Sequence, residues 1–213
     1  VFKKDETIKR MQRLQLNEES VSKEQIRMIR ANIESKLDRD SNSFMLTSPT
    51  QEGEKSIISS KLALSFAEQG KKVLLVDANL RKPTLHNWFN LDNETGLTNV
   101  ITREEDLQLH CKETLFPGLY LLPTGPIPLN LSDIWITKKI NQLARKCQSE
   151  FEIVIYEAPP FLTVSDSHIL VNHCDGVILV VRANKTKKEE ALKTKEYIER
   201  TSQKILGVIY QTG

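Results

Sequence analysis

Short apolar runs alternate with longer amphipathic stretches along this chain. Ile26, Ile29, Ile33 and Leu37 recur at i, i+3, i+7 and i+11, which predicts a helix from Ser22 to about residue 38. The residues before it, 1–20, are polar and aperiodic and read as an arm, and Asp38 to Ser43 breaks the helical period. Phe44-Met45-Leu46 then reads as a strand. Ile57 to Gln69 reads as a helix closed by Gly70. Lys72 to Val76, Leu119 to Leu122, Phe151 to Tyr156, Val177 to Val181 and Ile205 to Tyr210 are further strand-sized apolar runs. Two more helices are expected, one capped by Ser132 and running to about Ser149, the other over Lys187 to Ser202.

Strands that are apolar throughout, separated by helices, indicate a parallel sheet covered on both faces. The pattern therefore predicts an α/β fold: one domain with a doubly wound, mostly parallel sheet and helices on both faces. In such a sheet ligands sit beyond the carboxyl ends of the strands. The loops after Leu46, Val76 and Tyr156 are the places to look for chemistry.

Composition narrows the function classes. The 213 residues carry 30 Lys+Arg against 28 Asp+Glu, a net charge of +2, which gives no bulk reason to expect nucleic acid as a partner. No apolar run approaches the ~20 residues that span a bilayer, and no signal peptide is visible, so no direct membrane span is expected. Cys111, Cys147 and Cys174 are odd in number and lack a C-x-x-C pair, which predicts free thiols and a cytoplasmic location. The four histidines show no metal spacing.

The loop after Leu46 contains Gln51-Glu52-Gly53-Glu54-Lys55-Ser56 between a strand and a helix, the setting of a phosphate-binding loop. Lys55 and Ser56 stand where a phosphate lysine and a magnesium-binding hydroxyl belong. The loop after Val76 reads Asp77-Ala78-Asn79-Leu80-Arg81-Lys82-Pro83, and the one after Ile155 reads Tyr156-Glu157-Ala158-Pro159-Pro160. An acidic residue at a strand end facing a phosphate loop can hold magnesium or its waters.

Together these loops resemble those of the bacterial tyrosine kinase (BY-kinase) family, the capsule and exopolysaccharide autokinases, whose fold is P-loop NTPase-like with deviant Walker motifs. Gly70 to Thr84 is similar to the family's second Walker motif, Asp-x-Asp-x-Arg-x-Pro. Gly96-Leu97-Thr98-Asn99-Val100, the stretch Gly125 to Asp133, Glu157-Ala158-Pro159-Pro160 with Asp166, Asp175-Gly176-Val177 and Leu206 to Ile209 match later family segments. The resemblance implies ATP and Mg2+ as cofactors. It makes Lys55 the phosphate clamp and Asp77 the candidate base, with Asn79 beside it. It places Gly53, Lys55, Ser56 and Gln211 on the nucleotide and Ser56, Asp77 and Glu157 on the metal. Glu24, Arg27 and Arg30 fit the family's Glu-x-x-Arg-x-x-Arg helix, which contacts a neighbouring subunit in a ring. Steps of three residues turn about −60°, so the three are expected to share a broad outward face. The implied partners are further copies of the chain or an active kinase, and a membrane activator protein of polysaccharide export that recruits the chain to the membrane's inner face.

The departures from the family pattern fall on the nucleotide site. Glu52 and Glu54 replace loop glycines, adding a Cβ and a negative charge each beside a polyanion. Two unit charges ~4 Å apart repel by ~4 kcal/mol at an effective dielectric of ~20. Asn79 keeps the shape of an aspartate but not its charge, and Glu157 moves its carboxylate out by roughly 1.5 Å. These changes predict a member that keeps fold and assembly surface while its kinase activity is impaired. The alternatives are an active tyrosine autokinase with an unusual loop and, more remotely, a partitioning-type ATPase, whose signature lysine is replaced here by Thr50.

Overall fold

The computed structural model describes residues 20–51, 55–128, 134–135 and 137–212. The expected arm, the loop residues Glu52, Gly53 and Glu54, and the proposed cap Ser132 lie outside the described residues. Helix α1 (Ser20–Glu34) leads into β1 (Ser43–Thr47), α2 (Lys55–Ala67) and β2 (Val73–Asp77). Three short helices follow, α3 (Leu85–Phe89), α4 (Leu97–Arg103) and α5 (Leu107–His110), then β3 (Lys112–Glu113) and β4 (Leu119–Leu122). The chain continues through α6 (Thr137–Glu150), β5 (Ile153–Glu157), α7 (Asp166–Leu170), a 3-10 turn (Val171–His173), β6 (Gly176–Arg182), α8 (Lys188–Glu199) and β7 (Lys204–Gln211).

The strands form one sheet in the order β3-β4-β2-β5-β1-β6-β7. Every pairing is parallel except β3 with β4, an antiparallel edge. The expected α/β architecture is therefore present. Period-two alternation divides the strand residues between two apolar clusters. Phe44, Leu46, Val73, Leu75, Ile153 and Ile155 face one side, where they meet Ile33 of α1, Leu62 and Phe66 of α2, and Leu85 and Phe89 of α3. Met45, Leu74, Val76, Val154 and Tyr156 face the other side, against Leu97, Leu107, Leu143, Leu170 and Ile198 from α4 to α8. Because both faces are covered there, the inner strands β1, β2, β5 and β6 carry no polar alternation, whereas the edge strand β7 is partly exposed.

The apolar pattern assigns no element between Val76 and Leu119, and the segment contains α3, α4, α5 and β3. Each helix there has at most two turns, too few to print a helical period on the sequence. Gly70 closes α2 as expected: its φ is 80° and its N–H donates to Ala67 O at 2.8 Å.

This topology fixes the site. Strand β5 lies between β1 and β2, so their carboxyl ends stand side by side. Glu157 is the register partner of both Leu46 on β1 and Asp77 on β2.

Candidate functional site

Lys55 and Ser56 open α2, immediately after β1 and its loop. Lys55 is buried, and its Nζ donates to Ser48 Oγ at 2.9 Å. Ser48 Oγ in turn donates to Thr50 O at 2.6 Å, so the ammonium is folded back on the first turn of the loop. Burial lowers the lysine's pKa, the Glu157 charge raises it, and Lys82 lowers it further; the net direction is down.

Ser56 Oγ donates to Glu157 Oε1 at 2.8 Å and shares a 2.7 Å hydrogen bond with Thr84 Oγ1. Ser59, one turn further along α2, donates to Glu157 Oε2 at 2.9 Å. Both oxygens of this acid are thus taken up by hydroxyls of the helix that opens with Lys55. Burial raises the Glu157 pKa against the lowering effects of Ser56, Ser59 and Lys55.

Asp77 is turned differently. Its Oδ2 accepts from the backbone N–H groups of Thr84 and Leu85 at 2.9 and 3.0 Å, at the start of α3. Its Oδ1 accepts from Asn79 N at 3.3 Å. Thr84 precedes α3 as its N-cap, but its side chain makes no cap hydrogen bond. The Asp77 carboxylate takes that role, and the Thr84 hydroxyl reaches Ser56 instead. Burial and the neighbouring Glu157 charge push Asp77 up to about 8, against three backbone donors that pull it down.

The fold therefore gathers Lys55, Ser56, Asp77 and Glu157 at one sheet edge, with Asn79 beside Asp77. A hydroxyl and two carboxylates are hard oxygen donors that suit Mg2+, and Lys55 suits a phosphate. Among the described residues no group of three or more His, Cys, Asp and Glu could hold a metal ion. Any cation here would rest on two acids and a hydroxyl, since Asn79 brings no charge. Gln211 ends β7, separated from β5 by β1 and β6. Ser48, Ser59 and Thr84 belong to this network and were missed in the sequence. For Ser59 a signal existed: it follows Ser56 by three residues on the same helix face.

On α1, Glu24 and Arg27 are exposed, with side chains 64% and 50% accessible, and pair at 3.6 Å. Arg30 departs from the expected outward face: its side chain is only 11% accessible and packs on α2. Two steps of three residues turn the helix by about 120°, which brings Arg30 to the flank of the Ile26/Ile29/Ile33 stripe.

A family model described as an AAA domain matches residues 53–206. The chain is 41% identical over 191 residues to the tyrosine-protein kinase YwqD of Bacillus subtilis, covering 89% of this chain and 81% of that protein. It is 31% identical to the putative tyrosine-protein kinase CapB of Staphylococcus aureus, covering 89% and 84%. Among solved structures, the chimerical protein CapA2B2 superposes with a TM-score of 0.85 at 34% identity, covering 92% of this chain and 86% of the other.

Proposed function

The chain belongs to the bacterial tyrosine kinase (BY-kinase) family, and we propose that it is a member with an impaired nucleotide site. In this reading it keeps the fold and an assembly surface and transfers little or no phosphate. One observation carries the reading: Glu157, already longer than the family's aspartate, has both carboxylate oxygens engaged by Ser56 and Ser59. The hydroxyl that would meet a magnesium ion is thereby committed to an acid within the protein. The rest of the site points the same way. Burial and the neighbouring Glu157 charge raise the pKa of Asp77, which disfavours its ionised form. Asn79 supplies no compensating charge, and Glu52 and Glu54 add negative charge to the loop before Lys55.

The residues nonetheless fit ATP and Mg2+ in kind. Lys55 would bind the phosphates, and Ser56, Asp77 and Glu157 would hold the cation, whose chemistry is to neutralise charge on the transferred phosphoryl group. Asp77 would accept the proton of a tyrosine hydroxyl, which requires its ionised form. Each requirement is met by a residue of the right type whose charge or position is compromised. Phosphoryl transfer depends on positioning and charge stabilisation, so the compromises multiply.

Purified protein with MgATP should accumulate little phosphotyrosine. A variant carrying Asn79→Asp and Glu157→Asp, combined with glycine at 52 and 54, should gain at least tenfold. Robust magnesium-dependent autophosphorylation by the native chain overturns the reading. It would favour the second one, an active autokinase, which rests on the retained Lys55, Ser56 and Asp77 and on the 41% identity to YwqD. In either case the proposed setting is regulation of capsule or exopolysaccharide synthesis. The partners would be further copies or an active kinase, together with a membrane activator. No helix among the described residues is long and apolar enough to cross a membrane.

A further inference from the structure

Helix α2 ends without a cation of its own: its last turn holds no basic residue. Its final carbonyls are also short of donors, as at every helix end. The N–H of Gln69 turns to Phe66 O at 3.0 Å, and that of Glu68 goes to Leu64 O at 2.9 Å. The Ser65 carbonyl is therefore left without its usual partner four residues on. Arg30 of α1 fills the gap. Its Nη1 donates to Ser65 O at 2.7 Å and to Ser65 Oγ at 3.1 Å. With its amide oxygen facing the guanidinium, Gln69 accepts from Nη1 and Nη2, both at 3.2 Å. Arg30 Nε lies 3.7 Å from Glu34, which also meets Lys71 at 2.9 Å.

A cation donating to the last carbonyls of a helix complements both the unpaired groups and the helix dipole. Other polar ties between the two helices, such as Lys23–Glu68 at 3.3 Å, are a third or more exposed and therefore weak. Arg30 is mostly buried, so its hydrogen bonds are a buried polar tie of α1 to α2, beside the apolar packing of Ile33 with Leu62 and Phe66. At the opposite end of α2, about 18 Å away, are Lys55 and Ser56.

We propose that Arg30 is a positioning residue that caps the carboxyl end of the phosphate-loop helix from a neighbouring element, and so makes α1 and α2 one mechanical unit.

The test is hydrogen–deuterium exchange on the full chain, with thermal unfolding alongside, for Arg30→Met, Arg30→Lys and Arg27→Ala. Arg30→Met keeps the bulk of the stem and removes the donors. Amides of residues 66–70 and of α1 should exchange about tenfold faster, equivalent to ~1.4 kcal/mol of local stability. A smaller increase should reach residues 57–60. Arg30→Lys should restore most of the protection, because an ammonium still reaches the Ser65 carbonyl. Arg27→Ala, on the exposed face of α1, should leave exchange and Tm unchanged. Unchanged exchange at 66–70 in Arg30→Met, or no recovery in Arg30→Lys, overturns the cap. An effect that stops short of residues 57–60 overturns the coupling.

Discussion

Two buried acids stand side by side at the ends of neighbouring strands, and their partners differ in kind. Glu157 is held by the hydroxyls of Ser56 and Ser59, Asp77 by backbone N–H groups of Thr84, Leu85 and Asn79. The Asp77 carboxyl, pushed up to about 8, keeps its proton in the folded protein to well above the pH at which an unfolded chain releases it. Between about pH 4 and pH 8 the native state therefore binds more protons than the unfolded state, and this group's contribution to stability falls as pH rises. Asp77→Asn keeps a carbonyl acceptor for Thr84 and Leu85 and removes the titration. Its unfolding free energy relative to the native protein should climb from pH 5 to pH 8, with a slope approaching ~1.4 kcal/mol per pH unit. A difference that stays flat over that range contradicts the placement. Lys55, Ser56, Asp77 and Glu157 were legible in the sequence because their spacing from strand ends carries the signal. Thr84 was not, because the bond from its hydroxyl joins residues 28 apart in sequence and depends on how α3 docks.

The long elements announced themselves and the short ones did not. The helices α1, α2, α6 and α8 span 12 to 15 residues each, enough turns for a period or a flanking cap to show. The short helices are instead fixed by contacts at their ends. Asp77 caps α3, and Asn99 Oδ1 accepts from Gly96 N at 3.1 Å at the start of α4. Gly96 also lies so close to the segment after β4 that a Cβ there would stand 2.0 Å from Pro123 O and 2.7 Å from Gly125 N. Both neighbours are backbone, so neither gives way cheaply. Gly96→Ala should cost about 2–4 kcal/mol in denaturant unfolding. A loss below ~0.5 kcal/mol would show that α4 is free to shift. Arg30 teaches the related lesson for α1. A motif spaced by three reads as one face, yet the accumulated turn sends its last member inward.

For the molecule as a whole, apolar strands without alternation foretold a sheet buried on both sides, and the two core clusters answer to that. The strand order was not legible, since it depends on which crossover passes over which face. That order nevertheless builds the candidate site, because inserting β5 between β1 and β2 is what brings Glu157 to Ser56 and Asp77. The central claim is that this site is assembled correctly and compromised in charge. The most direct measurement is a calorimetric titration of MgATP into the native chain beside a Glu52→Gly/Glu54→Gly variant. The account predicts no resolvable heat of binding from the native protein and measurable binding from the variant. Micromolar binding by the native protein would contradict it.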